Sequence, residues 1–258
     1  MKLGLEGKIV LVTGGSKGIG LACARAFLDE GARVAIISRS QANLDRARDV
    51  LGPLAGYAAD LIDPAQALAA LDALEAELGH TDVLVNSAGA ARRTPSDELS
   101  PERWRAALDA KFFTYVNIID PAVKRMAARG TGVIVNVIGN GGKVASPTHI
   151  AGGAANAALM LATAGLAQAY AGRGVRVVGV NPGLTRTDRV SEGMIAEAGA
   201  RGITVEEAQR LAIQRIPLGR MAEPEEIAAT IVFLASTQAS YVTGVTVTMD
   251  GAQVSTVV

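Results

Sequence analysis

Residues 8–20 read Lys8-Ile-Val-Leu-Val-Thr-Gly-Gly-Ser-Lys-Gly-Ile-Gly20. Ile9 to Val12 form a short continuous apolar run, which suits a strand buried on both faces of a parallel sheet. Glycines follow at Gly14, Gly15, Gly18 and Gly20, and Leu21 to Leu28 then resumes at helical spacing. Strand, glycine turn and helix together make a phosphate cradle: glycine lets backbone approach a pyrophosphate, and the helix N-terminus offers unpaired N–H groups and a favourable dipole. Gly14, Ser16, Lys17, Gly18, Ile19 and Gly20 are the candidate contacts. The spacing is neither G-x-G-x-x-G nor the P-loop pattern, which needs Lys-Ser/Thr after its second glycine. A tight turn with no ligand is the alternative reading.

Working outward, 258 residues fit one large domain or two small ones, and are ample for a sizeable core. Aromatics make up only 3% against 49% hydrophobic residues, so the core must be built of Ala, Val, Leu and Ile. Basic and acidic residues both number 25, and this balance gives no reason to expect a nucleic acid or an anionic membrane as partner. The lone Cys23 excludes an internal disulfide, fits a reducing compartment, and reads as a small core residue. The opening Met1-Lys-Leu-Gly-Leu-Glu-Gly7 lacks the apolar core of a signal peptide. No run of about 18 apolar residues stands out, so no membrane span is expected, and the expected location is cytoplasmic.

Further strands are expected at 34–38, 55–59, 83–85, 133–138, 175–180 and 244–249, alternating with helices at 44–51, 65–78, 150–170 and 224–236. Asp63 before Pro64 is a plausible N-cap. One long helical stretch should run from Ser100-Pro101 towards Arg129, and the polar segment 184–217 should form a substrate lid with short helices. Regular alternation without linkers predicts a single α/β domain over 1–258: a Rossmann-type doubly wound parallel sheet of about seven strands, helices on both faces. Ligands in such sheets lie beyond the carboxyl ends of the strands.

At the end of the second strand, where an acid often bonds the adenosine ribose, stand Ser38 and Arg39. An acid would repel a 2′-phosphate, whereas arginine meets it with charge-assisted hydrogen bonds, and Lys17 adds a second positive charge. These residues argue for NADP(H) over NAD(H), the alternative being that Arg39 is simply a solvated surface group.

Thr13-Gly-x-x-x-Gly-x-Gly20, Asp60 after strand three, Asn86-x-Ala-Gly89 after strand four, and Pro182-Gly183 with Thr185 and Thr187 after strand six resemble the short-chain dehydrogenase/reductase family over essentially the whole chain. The resemblance implies that Asp60 and Leu61 flank the adenine, that Asn86, Ala88 and Gly89 line the middle of the cofactor, and that Pro182 to Thr187 approach the nicotinamide. Asn86 has a second reading, as a tie between central strands. The resemblance also implies a homotetramer or homodimer.

Redox members of that family use Ser, Tyr and Lys with a supporting Asn. Tyrosine exchanges a proton with the substrate oxygen, and a lysine four residues later lowers its pKa. None of Tyr57, Tyr115, Tyr170 and Tyr241 is followed by lysine at that spacing. The resemblance instead sets Gly139 at the serine position, Gly152 at the tyrosine, Asn156 at the lysine and Lys111 at the asparagine. Lysine and asparagine have exchanged places, so Lys111 restores a positive charge, and the glycines should enlarge the pocket beside the nicotinamide. His149 is the remaining candidate acid or base, suited to proton transfer near neutrality, against a helix cap or surface group. His80 reads as solvated. No metal-ligand spacing and no Gly-x-Ser-x-Gly elbow occur. Three functions stay open: an NADP(H)-dependent carbonyl/alcohol oxidoreductase with a non-standard active site, a non-redox lyase or isomerase on the same fold, and a non-catalytic NADP(H)-binding sensor or partner-binding protein.

Overall fold

The computed structural model describes residues 2–89 and 93–254. Its strands are β1 (Ile9–Thr13), β2 (Arg33–Ser38), β3 (Ala55–Ala58), β4 (Val83–Asn86), β5 (Gly132–Val137), β6 (Val175–Pro182) and β7 (Thr246–Met249). All pair in parallel, in the order β3-β2-β1-β4-β5-β6-β7. Strand residues divide by parity between two cores, as the period of two requires. Val10, Val12, Val34, Ile36, Val83 and Val85 face one side, with Cys23 and Phe27. Ile9, Leu11, Ala35, Ile37 and Leu84 face the other, with Leu71, Leu74 and Tyr115. Apolar runs on both faces are what a sheet covered on both sides needs.

Helices α1 (Gly18–Asp29), α2 (Gln41–Leu51) and α3 (Pro64–Leu78) alternate with the first strands. Asp63 caps α3 as expected, its carboxylate accepting from the N–H groups of Ala65 and Gln66. Cys23 is fully buried on α1, and burial pushes its thiol well above the ordinary range, so it is an inert core residue.

The single helix expected over 100–129 is interrupted. It runs as α4 (Pro101–Leu108), a π-turn at Asp109–Phe113, and α5 (Thr114–Arg129). The Thr114 hydroxyl donates to the Asp109 carbonyl (2.9 Å) across the widened turn. Such single turns recur at functional sites, and this one carries Lys111.

Helix α6 (Ile150–Tyr170) has the expected bounds, yet the segment 150–173 is long and apolar enough to cross a membrane by length and composition, contrary to the sequence reading. Its buried stripe, Ala151, Ala155, Leu159, Thr163 and Ala167, instead packs it along β6. Segment 184–217 does contain short helices, α7 (Asp188–Arg201) and α8 (Val205–Gln214), and α9 (Pro224–Ala235) follows.

The strand order reverses between β1 and β4, and the carboxyl ends there are tied by buried polar groups. The Thr13 hydroxyl donates to Asn86 Oδ1 (3.4 Å), Asn86 Nδ2 to Asn136 Oδ1 (3.0 Å), and Asn136 Nδ2 to the Thr163 hydroxyl (3.0 Å). Deleting a partner strands buried groups at about 1–3 kcal/mol each. Asn136→Ala should therefore lower unfolding free energy by a few kcal/mol in urea titrations; a loss within about 0.5 kcal/mol, ordinary for a surface change, would show that this chain is not a fastener.

Candidate active site

The glycine turn is built by backbone contacts that side chains would block. A β carbon on Gly20 would lie 2.2 Å from the Gly14 carbonyl oxygen, and Gly14 itself has φ +66°. Lys17 precedes α1 and gives no side-chain cap, and no acid stands in the first turn. By contrast, α2, α3, α4, α7 and α8 are capped by Ser40, Asp63, Ser100, Thr187 and Thr204. An uncapped N-terminus behind a glycine turn fits an anionic phosphate group.

The hydroxyls of Ser16 and Ser38 lie 3.0 Å apart, which holds the turn against the end of β2. Lys17 and the following Arg39 are exposed on these adjoining segments. After β3, the exposed Asp60 accepts from the Ile62 N–H (3.1 Å), while the Leu61 side chain is buried in the core. The Asn86 side chain is spent on the interstrand chain, which is the second of its two sequence readings. The Ala88 N–H donates to the Thr13 hydroxyl (3.2 Å). Gly89 (φ +80°) presses on the π-turn so closely that a β carbon would meet the Ala110 carbonyl oxygen at 2.1 Å.

Beyond β6, Thr185 is buried and Thr187 caps α7, its methyl packed beside Gly18. The Pro182–Thr187 loop therefore touches the glycine turn. A cavity of about 770 Å³ opens next to it, and Ile19, Gly89, Lys111, Gly139, His149, Asn156, Pro182 and Gly183 all reach its wall. Lys17, Ser38, Arg39, Asp60 and Thr187 lie outside that wall.

Around Gly152 the expectation of an enlarged pocket is overturned. A β carbon there would fall 2.2 Å from Cε1 of His149 and 2.7 Å from both ring nitrogens. The imidazole thus occupies the space where a tyrosine at this position would begin. Gly141 makes room on its other side, where a β carbon would meet Cδ2 at 2.9 Å. His149 sits at the N-cap position of α6 without capping it, half-buried, its Nδ1 enclosed without a partner among the described residues. Burial first, then the charges of Arg93, Arg189 and Lys111, holds its pKa below the ordinary imidazole value, so it is neutral at pH 7. At Gly139 the space does stay open, bounded by Asn156 Nδ2 at 3.4 Å, with the backbone at φ +121°.

Lys111 is 7% exposed. Its ammonium donates to the Tyr115 hydroxyl (2.8 Å) and the Val137 carbonyl (2.9 Å) and stands 4.4 Å over the Tyr115 ring. The Tyr115 hydroxyl donates to the same carbonyl (2.5 Å). No carboxylate pairs with Lys111 among the described residues; burial, then Arg189, lowers its pKa to about 7. Tyr115 itself is fully buried and does not reach the cavity. Sequence reading passed over this pair because it sought tyrosine before lysine. The reversed Lys-x-x-x-Tyr spacing, one helical turn, was the available signal. Arg93, Arg189, Arg201 and Arg215 also line the cavity and were missed, being scattered over a loop and the lid.

A family model described as enoyl-(acyl carrier protein) reductase matches residues 14–252. D-threitol dehydrogenase of Mycolicibacterium smegmatis is 37% identical over 251 residues, spanning 96% of this chain and 93% of the relative. The chain belongs to the short-chain dehydrogenase/reductase family. Within it, 3alpha-hydroxysteroid dehydrogenase of Mediterraneibacter gnavus is 35% identical over 254 residues, 96% of this chain and 97% of that one. Among solved structures, L-sorbose reductase from Gluconobacter frateurii, complexed with NADPH and L-sorbose, superposes with a TM-score of 0.92 at 28% identity, covering 100% of both chains.

The folded chain releases the Lys111 proton near pH 7, whereas an unfolded lysine holds it to about 10.4. Between these values the unfolded state binds more protons, so the lysine's destabilising effect fades as pH rises. Relative to Lys111→Met, the wild type should gain stability from pH 7 to 9 in urea unfolding; parallel curves at both pH values would refute a desolvated amine.

Proposed function

We propose that this protein is an NADP(H)-dependent oxidoreductase of the alcohol/carbonyl type, in which His149 does the proton transfer that tyrosine performs elsewhere in the family. The observation that carries the proposal is the imidazole seated over Gly152, on the wall of the cavity that adjoins the glycine turn. The curated relatives named above are dehydrogenases, and the L-sorbose reductase is described with NADPH.

Lys17 and Arg39 are the residues suited to hold the 2′-phosphate, and the uncapped start of α1 to hold the pyrophosphate. Gly14, Ser16, Gly18, Gly20 and Ser38 shape that cradle, Asp60 and the main chain of Leu61, Asn86, Ala88 and Gly89 flank it, and Ile19 with Pro182–Thr187 leads into the cavity. When bound, the cofactor supplies or accepts a hydride. The neutral His149 takes the proton from a substrate alcohol, or returns one to the oxygen of a reduced carbonyl. Lys111, whose amine donates to Tyr115 and Val137, sets the potential behind the oxygen and loses its charge as pH rises through about 7. Asn156, buried and without a side-chain hydrogen bond among the described residues, supplies an amide to orient the substrate. Apolar groups exposed on α6 and at the surface, Leu161 and Tyr241, are surfaces that a homo-oligomer would cover, and we place the protein in the cytoplasm.

Two experiments test this reading. Arg39→Asp should weaken NADPH binding about 10–100-fold in calorimetry, the range for a lost charge-assisted bond, and shift preference towards NADH; unchanged NADPH affinity would remove Arg39 from the site. His149→Gln should reduce kcat about 10²–10⁴-fold and abolish the acid limb of the oxidation profile. Gly152→Ala, which displaces the ring, should cost about as much, and the double variant no more than either. Additive losses would show that the two positions act separately.

A further inference from the structure

Lys111 is buried, yet it reaches the wall of the large cavity, as Val137, Gly139 and Asn156 do. Its nitrogen has two acceptors, the Tyr115 hydroxyl at 2.8 Å and the Val137 carbonyl at 2.9 Å. Tyr115 closes the triangle by donating to that same carbonyl. Among the described residues Lys111 has no third acceptor and no carboxylate partner. An ammonium has three N–H groups to place, whereas a neutral amine has two N–H groups and a lone pair. Two acceptors in a buried site therefore match the neutral amine. Both N–H groups are engaged, and the lone pair is the unused position of the nitrogen on a side chain that borders the cavity. The nitrogen lies 4.4 Å from the centre of the Tyr115 ring, further than from the hydroxyl, so it sits towards the rim and not over the face that would hold a cation best. Burial acts in the same direction and draws the pKa down to about 7. The chain just past the Val137 carbonyl leaves room for a ligand: a β carbon on Gly139 would meet Asn156 Nδ2 at 3.4 Å and nothing else within 4 Å.

We infer that Lys111 is a nucleophile, whose amine condenses with the carbonyl carbon of an aldehyde or ketone held in the cavity to form a Schiff base. A desolvated lysine on the wall of a pocket is the form in which this side chain attacks carbonyl compounds. The nitrogen lone pair makes the C–N bond as the carbonyl π pair moves onto oxygen. Both protons of the amine pass to that oxygen, the C–O bond breaks, and water leaves an imine. The carbon keeps its oxidation level, so the step consumes neither NADPH nor NADP⁺. This covalent capture goes beyond the oxidoreductase reading and does not rest on it.

The test is reductive trapping on the full wild-type chain without cofactor, using acetaldehyde or acetone with sodium cyanoborohydride and reading each lysine by peptide mass mapping. Lys2 and Lys17, both exposed, are the internal standards. An ordinary exposed lysine is neutral in only about one molecule in 10³ at pH 7, so Lys111 should be alkylated at least about 10-fold faster than either standard there. The ratio of Lys111 to Lys2 labelling should then fall about tenfold per pH unit between pH 8 and pH 10, as the standards lose their protons and Lys111 has none left to lose. Taking a ratio removes the pH dependence of the reductant. The preference should vanish in urea at an unfolding concentration, because it belongs to the fold, and Lys111→Arg should lose the fast-labelled peptide while the standards keep their rates. If Lys111 in the folded chain stays unlabelled, reacts no faster than Lys2 and Lys17, or keeps a constant ratio to them across the pH range, the nucleophile is overturned and Lys111 is a strut between the π-turn and β5. NADPH turnover measured on the same preparation reads the oxidoreductase proposal separately. Trapping without turnover of any carbonyl would sink that proposal alone, and turnover without trapping would sink the Schiff base alone.

Discussion

Four side chains in the interior, Thr13, Asn86, Asn136 and Thr163, decide where everything else at the carboxyl edge of the sheet can stand. They are buried and join β1, β4, β5 and α6 through consecutive hydrogen bonds. Buried amides tolerate few alternative partners, so the chain sets the register of the strands at the point where the sheet changes direction. The glycine turn leaves from one end of this chain and α6 crosses the other. The glycine turn and the helix that begins beside His149 are thereby fixed to one frame, as close positioning of the groups proposed to react requires.

Charge is arranged around that frame by Lys111 of the π-turn, which is buried and bonded to Tyr115 and Val137. Desolvation makes such an amine costly, and Arg189 adds to the cost. A histidine held neutral by the same surroundings answers a different need from a tyrosine: it is a ready base at pH 7, whereas an unperturbed phenol is not.

Much of this could be read from the chain before any coordinates. Continuous apolar strands, glycine punctuation and Pro-opened helices announced the doubly wound sheet, and the end of the second strand announced an arginine where an acid often stands. What escaped was non-local. The π-turn is met by Gly89 at Ala110, a contact between residues distant in sequence. Likewise the cationic wall is assembled from a loop after β4 and both helices of the lid, which no spacing rule connects. His149 was visible as a candidate, but its seat over Gly152 was not, because a missing side chain looks like empty space until something is seen to fill it.

Gly139 carries a consequence of its own. With φ at +121°, the backbone there has left the territory that serine occupies easily, and the neighbouring imidazole has claimed the volume a tyrosine ring would need. Gly139→Ser would therefore meet a strained main chain and Gly152→Tyr a collision, so what surrounds each position holds it to glycine.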